Sequence, residues 1–507
     1  SLHSQYVRYH PCKKGSLMVT PEAYGAVGNG TTDDYAAMQS ALNSGQTVRL
    51  TEGKTYRIVI NWMTTPNLGL VIPANTTLDT SNATINLEIA GNAYGIRLQS
   101  NSHICGHGNI NVTAISNVDS LQGIIQSVIS IGACYGEVTS VSSLGPFITA
   151  TGWSVEGVTL STIKPNGLHI SCVGGVSGII RDVRFPSNAY AFGCINCDWG
   201  TVGTLGTIPA NKTAWSAGTF YTVHPSNILI ESVSIGDMSN STSIPIRLSG
   251  TDNITVRNFR IAGSRAIGVA HYGGDYGYEF AQAGSPQRRA FMGTSITNGK
   301  IDNTNSGEAI HVDAFADNIF RESGYTPTLN PIYHSNIIVD DIHAEGNFSG
   351  TSHGVMVNYI DGATVRDVDM IGFSNGVCFG DYTTNCNLER SRVWGNMSDG
   401  VYIGGSLSAP TDISVTDSWI CNNGANSTNA GIRSANGSRH YLQHNILGGP
   451  GEGGQYYGIY VASTDAFIFS NYVKAIKSGG AGISKGSTVQ IAWNFFDPSI
   501  PSSRQII

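Results

Sequence analysis

Three stretches of this 507-residue sequence concentrate acids, arginines and aromatics that are scarce elsewhere. Residues 270–293 carry His271, Tyr272, Asp275, Tyr276, Tyr278, Glu279, Arg288 and Arg289. Residues 313–334 carry Asp313, Phe315, Asp317, Arg321, Glu322 and Tyr325, and residues 196–226 add Trp199, Trp215, Phe220, Tyr221 and His224. Only 12% of the chain is Asp, Glu, Lys or Arg, about half the usual share of roughly 25%, so this crowding stands out. Aromatic faces stack on the C–H faces of sugars, while neighbouring acids and arginines bond hydroxyls or charged substituents. A sugar polymer is the substrate class these residues suit. The expected substrate-binding residues are Arg247, His271, Tyr272, Tyr276, Tyr278, Phe315, Arg321 and Trp215.

Two chemistries are open to the set. Glycosidic hydrolysis needs one carboxyl to protonate the leaving oxygen and another to act as base or nucleophile. Asp313 with Asp275 or Glu279 is the expected pair, with Asp317 in reserve. β-Elimination needs a base beside a uronate carboxylate that a cation neutralises, and His311, Tyr276 and Arg247 could fill those roles. Each residue also has a plainer reading. Asp313 and Asp317 could cap turns, His311 could simply partner Asp313, and each aromatic could be packing. Glu308 precedes the strand and reads as a turn residue.

The elements that position these residues follow from a repeat. Gly or Ala, then two apolar residues flanking a variable one, recurs as Gly167-Leu168-His169-Ile170, Ala266-Ile267-Gly268-Val269, Ala309-Ile310-His311-Val312, Gly354-Val355-Met356-Val357, Gly400-Val401-Tyr402-Ile403 and Gly458-Ile459-Tyr460-Val461. Leading apolar positions at 244, 267, 310, 355, 377, 401, 432, 459 and 483 give a base period of 22 to 24 residues. Strands of three to five residues at that period, without helical periodicity, predict an all-β fold built as a parallel β-solenoid. Each coil buries its inward residues only against the next, so the chain reads as one long domain. Asn, Gly and Ser at the corners tolerate left-handed dihedrals, and stacked Asn amides can bond along the axis. Spacings near twice the period place long excursions at 270–293 and 313–334, with an earlier one at 196–226; long loops on a regular scaffold commonly carry function. On the rung itself Ile310 and Val312 face inward and His311 and Asp313 outward, and the alignment sets Asp313 level with Ala270, Asn358 and Arg247.

An open solenoid end needs a cap. Residues 31–45 supply a short amphipathic helix, with Ala37/Ala41 and Met38/Leu42 as i,i+4 pairs and Gly45 as its end. The run from Tyr24-Gly25-Ala26-Val27-Gly28-Asn29-Gly30 through Thr31-Thr32-Asp33-Asp34, followed by that helix and by 47–56, resembles the opening of the pectate-lyase-like β-helix superfamily. The resemblance implies a single-stranded right-handed parallel β-helix with a short N-terminal capping α-helix. Its phage tailspike branch best matches the Gly/Asn/Ser/Tyr-rich character, and would imply a homotrimer on a virion that cleaves a bacterial surface polysaccharide; a secreted enzyme is the alternative location. The motif builds the cap, not the site. The Asp-Pro-His of the epimerases and the Trp-Ile-Asp-His of plant-type pectate lyases are missing, and Gly106-His107-Gly108 lacks the acidic companions of polygalacturonases. No catalytic residue transfers by motif, and a non-catalytic carbohydrate-binding adhesin remains a rival.

Composition narrows the classes further. With 40% hydrophobic residues and a net charge of −7, the chain is not compositionally disordered, and it has no basic stretch suited to nucleic acid. No apolar run is long enough to span a membrane. Nine cysteines without a second CxxC or zinc-type His pair read as buried free thiols, and no calcium nonapeptide occurs; neither metal nor cofactor is expected. The expected divisions are a leader at 1–18, a capping segment at 19–50, the β-helix at 51–498 and a tail at 499–507.

Overall fold

The computed structural model describes residues 17–507 apart from 62–68, 91–93, 117–126, 133–148, 163–167, 174, 188–192, 199, 203–220, 239–242, 264–266, 273–278, 281–285, 288–290, 303–306, 315–332, 350–351, 425–427, 449–454, 463 and 487. Short strands dominate, and they coil as a parallel β-helix with one short α-helix near the N-terminus. Two compact units are distinguished: Ser1–Ile208 with Val223–Ile235, and Pro209–Thr222 with Gly236–Ile507. Among the described residues no helix is long and apolar enough to cross a membrane.

In the first unit, alternation drives the coil. Strand Thr55–Asn61 buries Tyr56, Ile58 and Ile60 and leaves the intervening side chains partly exposed, the period-2 pattern of a strand packed on one face. Leu70–Ile72, Tyr94–Leu98, Ser127–Gly132, Leu168–Val173 and Gly193–Asp198 then pair in parallel, each on the next. The expected helix is present at Tyr35–Asn43 with Met38, Ala41 and Leu42 buried. Its capping differs from simple N-capping. Asp34 accepts from the backbone N–H of Val27 and Gly28 at 2.7 and 3.1 Å, and Asp33 accepts from Tyr35 N–H. The helix closes a strand edge through Gln39, whose amide both donates to Val71 O and accepts from Val71 N–H, at 3.0 and 2.9 Å. One glutamine thereby satisfies backbone groups that an edge strand would expose.

Coils of the second unit supply strands to successive parallel sheets. One sheet runs Ile246–Ser249, Val269–Tyr272, Ile310–Asp313, His353–Asn358, Asn375–Phe379, Val401–Ile403, Ala430–Ser434, Tyr457–Val461 and Ala481–Ser484. The inward row Ile246, Val269, Ile310, Val355, Val377, Val401, Ile432, Ile459 and Ile483 is fully buried. The observed register corrects the repeat at its start. Ile246 and Val269, not Ile244 and Ile267, stand level with Ile310. A slip of two residues preserves which face a side chain takes and shifts only its level.

Corners between strands adopt left-handed φ at Asp367, Arg390, Asp417, His444, Ser470 and Trp493. Arg, His and Trp at such positions go beyond the expected Asn, Gly and Ser. The residue after each corner explains how the strain is held. Ser391 Oγ accepts from Val368 N–H, Ser418 Oγ from Ser391 N–H, Asn445 Oδ1 from Ser418 N–H, Asn471 Oδ1 from Asn445 N–H, and Asn494 Oδ1 from Asn471 N–H, all between 2.9 and 3.2 Å. This polar ladder along the axis realises the stacked-amide expectation. Asn445→Ala orphans the buried N–H of Ser418. Each buried group left unsatisfied costs about 1–3 kcal/mol, so thermal unfolding of this variant should fall by several degrees, and an unchanged melting temperature would contradict the ladder's role.

Cys172, Cys194, Cys197, Cys378, Cys386 and Cys421 are buried free thiols, as expected. Cys105 departs from that expectation: it is held in a disulfide.

Candidate functional site

The outward face of strand Ile310–Asp313 and Glu308 just before it bring three ionisable side chains together. Alternation buries Ile310 and Val312 and turns His311 and Asp313 to the same side. His311 Nε2 lies 3.2 Å from Asp313 Oδ2, and its Nδ1 lies 3.7 Å from Glu308 Oε2. Side-chain exposures of 15%, 12% and 23% for His311, Asp313 and Glu308 leave all three shielded but reachable. One rung on, Asn358 Nδ2 donates to Asp313 Oδ2 at 3.4 Å, as its position level with Asp313 requires.

Electrostatics fix the protonation state of the histidine. Burial by itself would push the His311 imidazole down, but its bond to Asp313 and then the nearby Glu308 carboxyl outweigh it and raise its pKa to about 9. Burial likewise opposes ionisation of Glu308, yet contact with His311 holds its carboxyl below the ordinary range. At neutral pH the His311 imidazole carries its proton and lies between Asp313 and Glu308.

The preceding rungs add an aromatic and a cation. Tyr272 is level with Asp313, and its ring lies 5.3 Å from that of His311. Arg247 sits over Tyr272, with its guanidinium carbon 5.5 Å from the ring centroid, a cation–π distance. Arg247 and Ala270 are level with His311, not with Asp313 as the two-residue slip implied.

His271 requires a correction. The strand continues to Tyr272, so alternation sends His271 into the core, level with Leu248 and Val312. There it is fully buried, with Nε2 2.8 Å from His334 Nδ1 and Nδ1 2.8 Å from Thr294 Oγ1. It lines the interior and not a substrate groove. Glu279 falls in a short strand, Glu279–Phe280, paired antiparallel with Pro286–Gln287. Asp275, Tyr276, Tyr278, Phe315, Asp317, Arg321 and Trp215 lie outside the described residues.

The structure thus brings together His311, Asp313, Tyr272 and Arg247 and adds Glu308, which sequence reasoning had assigned to a turn. A readable signal existed: acids at positions −3 and +2 from a strand histidine can reach its two nitrogens. No set of three or more His, Cys, Asp or Glu side chains among the described residues is arranged to hold a metal ion.

No family model matches the sequence, and no curated protein does. Among solved structures, the chain is similar to the A-module of mannuronan C-5 epimerase AlgE6 from Azotobacter vinelandii, at 14% identity and a TM-score of 0.45 over 94% of this chain and 99% of that one. It is similar to a variant tailspike protein of E. coli bacteriophage HK620 in complex with a pentasaccharide, at 11% identity and a TM-score of 0.49 over 96% and 78%. It is also similar to PfbA, a surface adhesin of Streptococcus pneumoniae, at 14% identity and a TM-score of 0.41 over 90% and 91%. At these identities and scores the likenesses assign no chemistry, and the parallel β-helix rests on the strand register itself.

Proposed function

We propose that this chain is a polysaccharide depolymerase of the phage tailspike type, binding a bacterial surface polysaccharide and cutting it internally by glycosidic hydrolysis. The observation that carries this reading is His311 held between Asp313 and Glu308 on an outward rung, beside the Arg247–Tyr272 stack. Hydrolysis needs a proton donor at the leaving oxygen and a carboxylate to activate water or attack the sugar. A histidine with a pKa of about 9 carries its proton at neutral pH, so it suits the donor's role, with Asp313 or Glu308 as base. Asp275, Glu279 and Asp317 remain the other carboxylates of the hydrolytic reading. Elimination would need His311 unprotonated to take a proton from carbon, which its two carboxylate neighbours oppose. Tyr272 offers a stacking face and Arg247 a donor fork for hydroxyl or carboxylate groups.

The test is incubation with purified capsules, O-antigens and exopolysaccharides while following reducing ends and ultraviolet absorbance together. New reducing ends at constant absorbance are expected. Rising absorbance from an unsaturated uronate would replace hydrolysis by lyase chemistry, and binding with neither signal would replace the enzyme by an adhesin. Light scattering should find three chains per particle; a monomer would contradict the tailspike form.

A further inference from the structure

Three rungs beyond His311, the same outward row becomes aromatic and basic again. In register it runs His311, Met356, the buried Cys378, Tyr402, Arg433 and Tyr460. Arg433 therefore lies between two tyrosines along the row. Its guanidinium carbon is 4.7 Å from the centroid of Tyr460. The Tyr460 ring in turn lies 5.1 Å from that of Tyr457, tilted by 47°. Arg433 Nε donates to Asp399 Oδ2 at 2.8 Å, and Nη2 donates to the carbonyl of Thr428. The second Asp399 oxygen accepts the N–H of Ala430. Tyr402, Arg433, Tyr457 and Tyr460 are all half-buried, whereas the Asp399 side chain is only 5% exposed.

The geometry points to a second saccharide-binding subsite here, formed by Tyr402, Arg433, Tyr457 and Tyr460, which takes an uncharged sugar ring of the same glycan. The inference rests on the depolymerase reading and deepens it. Three arguments carry it. A shielded ion pair is weak evidence for stability, because desolvation offsets its attraction, so packing alone gives little reason for an arginine among tyrosines. Asp399 already neutralises Arg433, and its carboxylate would repel a uronate in the same place; a neutral ring is the better fit. The tyrosine faces match the C–H face of a pyranose. With rungs about 4.8 Å apart, Tyr402 and Tyr460 stand roughly 14 and 24 Å from His311 along the axis. An extended chain, but not a short fragment, can occupy both places at once. Binding the distant part of the chain then contributes to affinity without touching the reacting bond.

The test uses the full chain with Tyr402→Ala, Tyr460→Ala, Arg433→Lys and Tyr460→Phe, against the same polysaccharide panel and size-fractionated fragments of each polymer. Tyr402→Ala and Tyr460→Ala should each weaken binding of long chains by about tenfold and raise KM by the same factor. The kcat on short fragments should stay unchanged. Tyr460→Phe keeps the stacking face and should stay within about twofold of the parent protein. Arg433→Lys keeps the charge and loses the planar fork; it should weaken long-chain binding even where an alanine variant fails to fold. Cleavage with unaltered long-chain KM in folded variants overturns the subsite alone. Variants that lose affinity for a polymer never cleaved support the subsite and overturn the hydrolytic reading. No binding to any polymer of the panel overturns both.

Discussion

His311→Ala is expected to lower kcat by about a hundred- to ten-thousand-fold, the span that a positioned acid or base contributes, with a smaller change in KM. The pH profile makes the test specific. In the parent protein activity should persist through neutral pH and fall as pH rises through about 9, where His311 gives up its proton. The acid limb should lie below the ordinary carboxyl range, because Glu308 is held low by His311. Asp313→Asn removes the leading partner that raises His311, so the alkaline limb should move toward more acidic pH. A structural histidine would leave that limb where it was. The same sign applies to stability. A group raised on folding from 6.5 to about 9 contributes stability that is fully present below 6.5 and lost as pH rises through about 9.

Acid should unfold the second unit through a different pair. His271 and His334 are buried in contact, and burial holds both imidazoles down, His334 to about 3 and His271 well below 6.5 because its neighbour adds to the effect. Here the sign reverses. The unfolded chain takes up protons from about pH 6.5 downward while the folded chain does not, so stability is intact above that value and lost as pH falls toward 3. The urea midpoint should drop across this window, with a slope of up to about 1.4 kcal/mol per pH unit for each group. His271→Gln keeps polar atoms for His334 and Thr294 but cannot titrate. It should remove one group's share of the slope, and a slope identical to the parent's would clear His271 of any part in it.

How far the sequence could be read depended on whether alternation governed the position. Ile310, His311, Val312 and Asp313 alternate without interruption, so their faces were legible, as was the pairing of Asp313 with Asn358. The helix over Tyr35–Asn43 was legible from its i,i+4 pairs, whereas the use of Asp34 to hold Val27 and Gly28 was not, because capping and loop-binding carboxylates look alike in sequence. His271 was misread for a definite reason. The pattern was taken to stop at Val269, but the strand runs on to Tyr272, and alternation then buries the histidine. Glu308 was missed because it lies outside the alternating run and reaches His311 around the strand's start. Tyr460 stood in view as the variable residue of its repeat, but only the register joins it to Arg433 in a row.

That register makes the length of the protein a graduated quantity. Loss of one residue within a strand would turn its core side chains to water. Loss of one entire coil between His311 and Tyr402 would instead leave every remaining side chain facing as before and bring the two groups closer by about 4.8 Å. Whole coils are therefore the natural unit of change. A lineage that gained or lost them would alter the span of glycan the surface measures in fixed steps, while the chemistry at His311 stayed untouched.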